Sequence, residues 1–180
     1  REKIMQIGVV GLGRMGSNIA KRLMDHGHSI VAFDRDPEAA KKLSGATAAS
    51  SLADLVAKLT PPRAVWIMLP AGAPTRDTVA ALGGLVTKGD TLMDGGNSFF
   101  KDDIQHGKTL REKGVDYLDI GTSGGVWGHD RGYCMMIGGD EAVVKRLNPI
   151  FAALAPGAGD IPKTPGRENA DPRPEQGYIH

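Results

Sequence analysis

The stretch IGVVGLGRMGSN, residues 7–18, joins an apolar run to a glycine-rich turn and then to a segment with helical apolar spacing. Gly11, Gly13 and Gly16 follow the G-x-G-x-x-G pattern, in which the glycines permit a tight turn, admit a pyrophosphate and allow close packing of helix on strand, respectively. A second apolar run, SIVAFD, ends at Asp34, where dinucleotide sites place the acidic ligand of the adenosine ribose. The order strand, turn, helix, strand therefore predicts a dinucleotide-binding unit.

Strand-like runs continue to alternate with helical segments along the rest of the chain. AVWIML, TLMD, DYLDI and YCMMIGG predict strands, and segments with helical spacing lie between and after them. This alternation predicts an α/β fold, a Rossmann-like, doubly wound and mostly parallel sheet with helices on both faces. We expect one dinucleotide-binding domain, residues 1–160, and a polar, proline-rich loop or linker over residues 161–180.

The composition is typical of a globular protein of the cytoplasm. The 180 residues carry a net charge of +1, with 41% hydrophobic and 24% charged residues, so neither nucleic acid nor an acidic membrane surface is an expected partner. No apolar run approaches the ~20 residues of a membrane span, and the lone Cys134, which we expect in the core, excludes an internal disulfide. The histidines lack metal-ligand spacing, so no metal site is predicted.

The predicted cofactor site lies at the carboxyl edge of the sheet. Asp34 is expected to accept hydrogen bonds from the ribose hydroxyls of NAD. Arg35 either stacks on adenine, holds the 2′-phosphate of NADP or is a solvated surface charge. NAD is therefore the cofactor expected from Asp34, and NADP is the alternative that Arg35 leaves open. The cofactor-binding residues predicted from the glycine pattern, from the end of the second strand and from the loop LPAG are Gly11, Leu12, Gly13, Arg14, Gly16, Asp34, Arg35, Leu69, Pro70 and Ala71. The alternative for LPAG is an ordinary strand exit that contacts no ligand.

Two further motifs lie at the same edge. MDGGNSFF, residues 93–100, ends a strand and then presents Asn97, which either caps a helix or turn or supplies a donor and an acceptor between nicotinamide and substrate. GTSGGVWG, residues 121–128, contains four glycines in eight residues. Such a density is tolerated where the backbone turns tightly or lies against a ligand, and an ordinary surface loop is the alternative.

Together, MDGGNSFFKDD and DYLDIGTSGGVWGHDRGYCMMIGGD closely resemble the 6-phosphogluconate dehydrogenases, particularly the shorter, NAD-preferring type, within the β-hydroxyacid dehydrogenase superfamily. Hydroxyisobutyrate dehydrogenases share the glycine pattern and the SGG but usually have Ser-Thr in place of Gly96–Ser98. The resemblance covers nearly all of this chain and only the N-terminal part of the family's chain.

The resemblance implies an oxidoreductase that converts 6-phosphogluconate to ribulose 5-phosphate and CO2 with NAD. It assigns Asn97 to both substrate and nicotinamide and Met15 to the nicotinamide ring. It assigns Ser123, Gly124 and Gly125 to the sugar acid, so that backbone N–H groups and a hydroxyl bind a small polar acid beside the cofactor.

The same resemblance places the family's catalytic Lys and Glu beyond residue 180, so no catalytic residue is predicted within this chain. Residues 161–180 would lead to an all-helical domain, and the full-length enzyme would be a homo-oligomer of the pentose phosphate pathway or of gluconate utilization. His129 beside Asp130 is interpreted as a turn feature, and Trp66 and Trp127 as packing residues. The alternatives are a dehydrogenase of another 3-hydroxy acid, such as 3-hydroxyisobutyrate, and a non-enzymatic nicotinamide-sensing module.

Overall fold

An eight-stranded sheet forms the centre of the computed structural model, which describes residues 3–160, 162, 165–166 and 170–180. Its strands are β1 (Gln6–Val10), β2 (Ser29–Phe33), β3 (Thr47–Ala48), β4 (Ala64–Ile67), β5 (Thr91–Asp94), β6 (Asp116–Ser123), β7 (Cys134–Gly138) and β8 (Tyr178–Ile179). They lie in the order β3-β2-β1-β4-β5-β6-β7-β8. All neighbouring strands pair parallel except β6 and β7, which are antiparallel. The predicted doubly wound, mostly parallel sheet is confirmed.

Helices connect the strands and cover both faces of the sheet. They are α1 (Arg14–Asp25), α2 (Pro37–Lys42), α3 (Leu52–Lys58), α4 (Ala73–Gly83), α5 (Phe100–Arg111), α6 (Gly128–Arg131), α7 (Glu141–Leu154) and α8 (Arg173–Gln176), with a 3-10 turn at Gly125–Trp127. α1 and α7 pack on one face, and α3, α4 and α5 pack on the other. Successive side chains of a strand alternate between these two cores, so Trp66 joins the first whereas Val65 and Ile67 join the second.

Polar side chains define where several helices begin. Asp36 accepts a hydrogen bond of 3.0 Å from the Glu38 N–H and precedes Pro37 at the first position of α2. The hydroxyl of Ser51 accepts one of 3.0 Å from Asp54 N–H at the start of α3. These caps lie at the starts of the predicted helices. Ser and Asp favour this position because their side chains accept hydrogen bonds from the free backbone N–H groups of the first turn.

Arg22 of α1 ties this helix to the end of α7, whose last turn contains no basic residue. Its Nε donates hydrogen bonds of 2.9 and 3.1 Å to the carbonyls of Ala153 and Leu154, and its Nη2 donates one of 2.8 Å to that of Ala155. Nη1 donates one of 3.0 Å to the carbonyl of His129. The guanidinium therefore satisfies carbonyls that a helix C-terminus leaves without partners.

The antiparallel strand β7 differs from expectation in what it buries. Met135 and Ile137 point into the core, whereas Cys134 and Met136 are exposed. The expectation that Cys134 lies in the core is therefore wrong. The strand has only one buried face, and the two-residue period puts Cys134 on the other.

Two elements follow where the sequence predicts only a loop or linker. α8 and β8 lie within residues 161–180, and β8 pairs parallel with β7 through Met135 and Tyr178. Tyr178 is buried and its hydroxyl donates a hydrogen bond of 2.9 Å to Asn148 Oδ1. Residues 161, 163, 164 and 167–169 of this segment lie outside the described residues. In the part of the chain that the structure describes, every helix is too short or too polar to span a bilayer.

Candidate functional site

The glycine-rich turn between β1 and α1 has a different steric reason for each glycine. Gly11 has φ 91°, and a Cβ there would lie 2.3 Å from the carbonyl oxygen of Met68. At Gly16 a Cβ would lie 1.8 Å from the carbonyl oxygen of Gly11, so the helix packs directly on the turn. Around Gly13 no such atom lies within 4 Å. Two glycines are therefore required by packing, and the middle one leaves open space at the start of α1.

The end of β2 is joined to this turn through Asp34. Its Oδ2 accepts a hydrogen bond of 2.7 Å from the Leu12 N–H, and its Oδ1 accepts one of 2.9 Å from the Asp36 N–H. Each carboxylate oxygen has two acceptor positions, so the group keeps capacity for ligand hydroxyls while its orientation is fixed. α1 begins at the turn without a side-chain cap and without an acidic residue in its first turn, an arrangement that suits an anion.

The turn and Asp34 open on a cleft of about 530 Å³. Of the predicted cofactor residues, the cleft is lined by Gly11, Gly13, Asp34, Arg35, Leu69 and Pro70. Residues of α4 that the sequence analysis did not single out complete the opposite wall: Ala73, Pro74, Asp77 and Thr78. Their position directly after LPAG, at the carboxyl end of β4, is the signal that points to them.

The other predicted residues of the glycine-rich turn and of the loop LPAG do not line this cleft. Leu12 and Arg14 line a neighbouring cavity of about 360 Å³, together with Gly13, that Val126 closes from the other side. Met15 is half-buried against the core, and Ala71 is exposed. Of the twelve predicted cofactor residues, eight therefore line these two adjoining depressions, whereas Met15, Gly16, Ala71 and Asn97 do not.

A second part of the site is the turn after β5, which contains Asn97. This residue is exposed and has φ 55°, in the left-handed region that residues other than glycine rarely adopt. α5 begins after Phe99 as its N-cap, so Asn97 is not a helix cap. A Cβ at Gly96 would lie 2.5 Å from the carbonyl oxygen of Leu69, so this turn packs against the strand end that lines the cofactor cleft.

Asn97 and Ser123 line one cavity of about 620 Å³ beside β7. Residues of the predicted linker also line it, among them Pro174, Tyr178 and Ile179. The two side chains that the resemblance assigns to the substrate are therefore on the same cavity, which includes a polar amide and a hydroxyl between apolar walls.

Two of the four glycines in residues 121–128 make room for the ring of Tyr133. A Cβ at Gly124, where φ is 153°, would lie 2.8 Å from the Tyr133 ring, and one at Gly128 would lie 2.1 Å from it. Gly125, with φ 53°, has no atom within 4 Å of such a Cβ. Tyr133 is fully buried. Gly124 and Gly128 therefore make room for an aromatic ring, and among these three only Gly125 faces open space.

Behind the Asn97 turn lies a group of acidic side chains that the sequence analysis missed. The hydroxyl of Tyr117 donates a hydrogen bond of 2.7 Å to Asp103 Oδ1 and lies 3.3 Å from Asp94 Oδ2. Burial raises the pKa of Asp103 to about 6, an effect that the Tyr117 hydrogen bond opposes and the charges of Asp119 and Asp94 reinforce. Burial also raises the pKa of Tyr117, so this hydroxyl remains a donor.

His129 and the two tryptophans lie apart from the Asn97 cavity. His129 is in α6, with Nε2 2.8 Å from Asp25 Oδ2 and Nδ1 3.2 Å from Asp130 Oδ1. Trp66 is fully buried, which confirms its interpretation as a packing residue. For Trp127 that interpretation is wrong, because the side chain is 62% exposed, beneath the guanidinium of Arg131.

Comparison with known proteins points to one family for most of the chain. Residues 6–161 match the family described as the NAD binding domain of 6-phosphogluconate dehydrogenase. An NAD(+)-dependent, decarboxylating 6-phosphogluconate dehydrogenase of Haloferax volcanii is 41% identical over 155 residues, which cover 85% of this chain and 51% of the relative. This chain thus spans about half the length of that relative.

Solved structures confirm the fold. A 3-hydroxyisobutyrate dehydrogenase of Mycobacterium tuberculosis superposes with a TM-score of 0.79 at 27% identity, over 86% of this chain and 53% of that protein. A 6-phosphogluconate dehydrogenase of Plasmodium falciparum, described with NADP+ and with 6-phosphogluconate, has the same TM-score of 0.79 and identity of 27%, over 87% of this chain and 35% of that protein.

Proposed function

The chain belongs to the family of NAD-binding domains of 6-phosphogluconate dehydrogenase, and we propose that it is the cofactor-binding part of an enzyme that oxidises and decarboxylates 6-phosphogluconate to ribulose 5-phosphate and CO2. The observation that carries the proposal is the placement of Asn97 and Ser123 on one cavity, beside a turn that packs on the wall of the cofactor cleft. A substrate in that cavity would lie close to the nicotinamide end of a bound dinucleotide.

The residues of the cleft fit NAD. The space beside Gly13 admits a pyrophosphate at the uncapped N-terminus of α1, and the oriented carboxylate of Asp34 accepts hydrogen bonds from ribose hydroxyls. Phe33 and Pro70 offer apolar surface for a base. Bound NAD would supply the hydride acceptor, and the chain's own part is to hold and orient it.

The charges of the cleft favour NAD over NADP. Asp34 and Asp77 both line it, and only Arg35 among its lining residues is cationic. A 2′-phosphate beside Asp34 would face a like charge, whereas the ribose hydroxyls of NAD donate to the same carboxylate. We therefore propose NAD as the preferred cofactor of the whole enzyme as well.

The substrate assignment rests on the turn after β5 and on the glycine-rich segment after β6. Asn97 and Ser123 supply an amide and a hydroxyl for the sugar acid, and Gly125, two residues after Ser123, has free space where a side chain would be. The two structural neighbours have equal similarity, so the choice of 6-phosphogluconate over 3-hydroxyisobutyrate is supported by the Gly96–Ser98 motif and by the name of the Haloferax volcanii relative.

The general base and acid are proposed to come from an all-helical domain that follows residues 161–180 in the complete enzyme. Residues 1–160 would then form the cofactor-binding domain, with α8 and β8 at the junction. The chain of 180 residues is expected to bind NAD and to turn over 6-phosphogluconate negligibly, because loss of a general base alone lowers a rate about 10²- to 10⁴-fold. Rapid turnover by this chain would contradict the placement of the catalytic groups.

A titration followed by NMR tests the substrate assignment. The amide signals of the chain, saturated with NAD, are recorded during addition of 6-phosphogluconate and, separately, of 3-hydroxyisobutyrate. We expect the signals of Asn97 and Ser123 to shift with 6-phosphogluconate only, and the shift to be lost in Ser123→Ala. Ser29→Ala is a matched control, because Ser29 is exposed and is the first residue of β2, whereas the site lies at the carboxyl ends of the strands. Equal shifts with both acids, or none with 6-phosphogluconate, would contradict the proposal.

A further inference from the structure

We infer that Asp94 is a positioning residue for Asn97, whose left-handed backbone it holds by binding both neighbours of that residue. Asp94 is the last residue of β5 and is 1% exposed. Its Oδ1 accepts a hydrogen bond of 2.8 Å from the Gly96 N–H, and its Oδ2 accepts one of 2.6 Å from the Ser98 hydroxyl. The inference rests on the proposed function, because it concerns the residue assigned to nicotinamide and substrate.

The conformation of Asn97 needs this support from its neighbours. A non-glycine residue with φ 55° is disfavoured, and an asparagine often compensates through hydrogen bonds of its own side chain. Among the described residues the structure gives the Asn97 amide no such partner, so the amide is available to a ligand. The turn is thus held by the carboxylate of Asp94 rather than by the side chain that is to act.

The carboxylate of Asp94 is enclosed by side chains on the side away from the turn. The Tyr117 hydroxyl of β6 lies 3.3 Å from Asp94 Oδ2 and donates to Asp103 of α5 at 2.7 Å. Three elements therefore converge on the carboxylate: its own strand, the neighbouring strand β6 and the helix that follows the turn. Because the group is buried and accepts hydrogen bonds from Gly96 and Ser98, its position is fixed before any ligand arrives.

The turn also connects the two parts of the site. Gly95 packs on the ring of Trp66, and Gly96 packs on the carbonyl of Leu69, which lines the cofactor cleft. A shift of the turn would therefore move Asn97 relative to the nicotinamide end of the cleft and leave the adenosine end, around Asp34, in place. This asymmetry separates a positioning role from a general contribution to folding.

A double-mutant cycle on the chain of 180 residues tests the inference. Dissociation constants for NAD and for ADP-ribose, which lacks nicotinamide, are measured calorimetrically for wild type, Asp94→Asn, Asn97→Ala and the double variant. The Asn amide can accept from the Gly96 N–H and donate to the Ser98 hydroxyl, but both hydrogen bonds lose the charge of the carboxylate and become about half as strong. We expect each single variant to weaken NAD binding about three- to tenfold, the double variant to be no weaker than Asn97→Ala, and ADP-ribose binding to stay within about twofold.

A second variant keeps the test decisive if Asp94→Asn does not fold. Ser98→Ala removes the hydrogen bond from the Ser98 hydroxyl to Asp94 Oδ2, and its cycle with Asn97→Ala should show the same lack of additivity. Additive losses, or equal losses for NAD and ADP-ribose, would overturn the inference while leaving NAD binding by the chain intact. A wild-type chain that fails to bind NAD would instead overturn the proposed function, and this inference with it.

Discussion

The carboxylate of Asp34 accepts a hydrogen bond of 2.7 Å from the backbone N–H of Leu12, so the end of β2 and the glycine-rich turn form one rigid unit. The residue that would select the cofactor is therefore fixed relative to the turn that would hold its pyrophosphate. Ligand discrimination at such a site depends on charge rather than on rearrangement, because the carboxylate does not have to move to meet a ribose.

The first prediction concerns cofactor preference. Wild type should bind NAD about tenfold or more tightly than NADP, because unit charges ~4 Å apart at an effective dielectric of ~20 interact by about 4 kcal/mol before salt screening. Asp34→Asn removes the repulsion and leaves Arg35 to pair with the phosphate, so NADP affinity should rise relative to NAD. Calorimetric titration with both cofactors measures the ratio.

Asp77→Asn is the matched control, since this carboxylate lines the same cleft from α4. It should change the ratio much less than Asp34→Asn does. Tighter binding of NADP than of NAD by wild type would show that Arg35 governs the site.

The second prediction separates two glycines of one motif. Gly16→Ala should destabilise the chain by at least about 2 kcal/mol, because the new Cβ would lie 1.8 Å from the Gly11 carbonyl oxygen. Gly13→Ala, at a φ of −60° and with no atom within 4 Å, should alter the free energy of unfolding by less than about 1 kcal/mol, yet weaken NAD binding about tenfold or more. Urea unfolding and calorimetry on both variants measure the contrast. Similar stabilities for the two variants would show that the turn relaxes around Gly16.

The third prediction follows from Asp103, whose pKa burial raises from 3.8 to about 6. The folded chain binds this proton more tightly than the unfolded chain does, so wild type loses stability as the pH rises from about 4 to about 6. Asp103→Asn lacks that loss. The free energy of unfolding of the variant, relative to wild type, should therefore increase by up to about 3 kcal/mol between pH 4 and pH 7.

Urea unfolding at several pH values measures this change. Asp102→Asn is the control, because Asp102 is the neighbouring, less buried carboxylate and pairs with Arg76 at 3.4 Å. A difference between Asp103→Asn and wild type that stays constant with pH would show that Asp103 titrates near its ordinary value.

The fourth prediction is about stability away from the site. Arg22→Met removes the hydrogen bonds to the carbonyls of Ala153, Leu154, Ala155 and His129 and should cost about 2–4 kcal/mol, since buried carbonyls are left without partners. Thermal unfolding measures the loss. Lys21→Met, an exposed change on the same helix, should stay within about 0.5 kcal/mol of wild type. Equal midpoints for the two variants would mean that water replaces the guanidinium without loss.

Much of the fold could be predicted from the sequence because local patterns determine it. The apolar runs correspond to β1, β2, β4 and β5, and the glycine pattern with Asp34 locates the cofactor cleft. β3 and β8 have two residues each, too few to show a period of two. The direction of β7 is also invisible locally, because an apolar run has the same appearance whether its neighbour is parallel or antiparallel.

The sequence predicts a part of the site only where the residues of that part lie in one short motif. Asn97 lies in such a motif. The network behind it does not, because Asp94, Asp103 and Tyr117 come from two strands and a helix and meet only in the folded chain. The wall formed by α4 was missed for a related reason: Asp77 and Thr78 belong to an ordinary helical pattern, and their position beside the cleft depends on the strand order.

The packing of Tyr133 has a consequence for reading alignments of related sequences. Gly124 and Gly128 leave room for this ring, so we expect the three positions to vary together, with larger residues at 124 or 128 accompanying a smaller residue at 133. An invariant Gly124 would then be explained by packing on the Tyr133 ring as well as by ligand binding. A Cβ at Gly125 would meet no atom within 4 Å, so invariance at this position would point to its left-handed backbone, with φ 53°, or to a ligand, and not to packing on Tyr133.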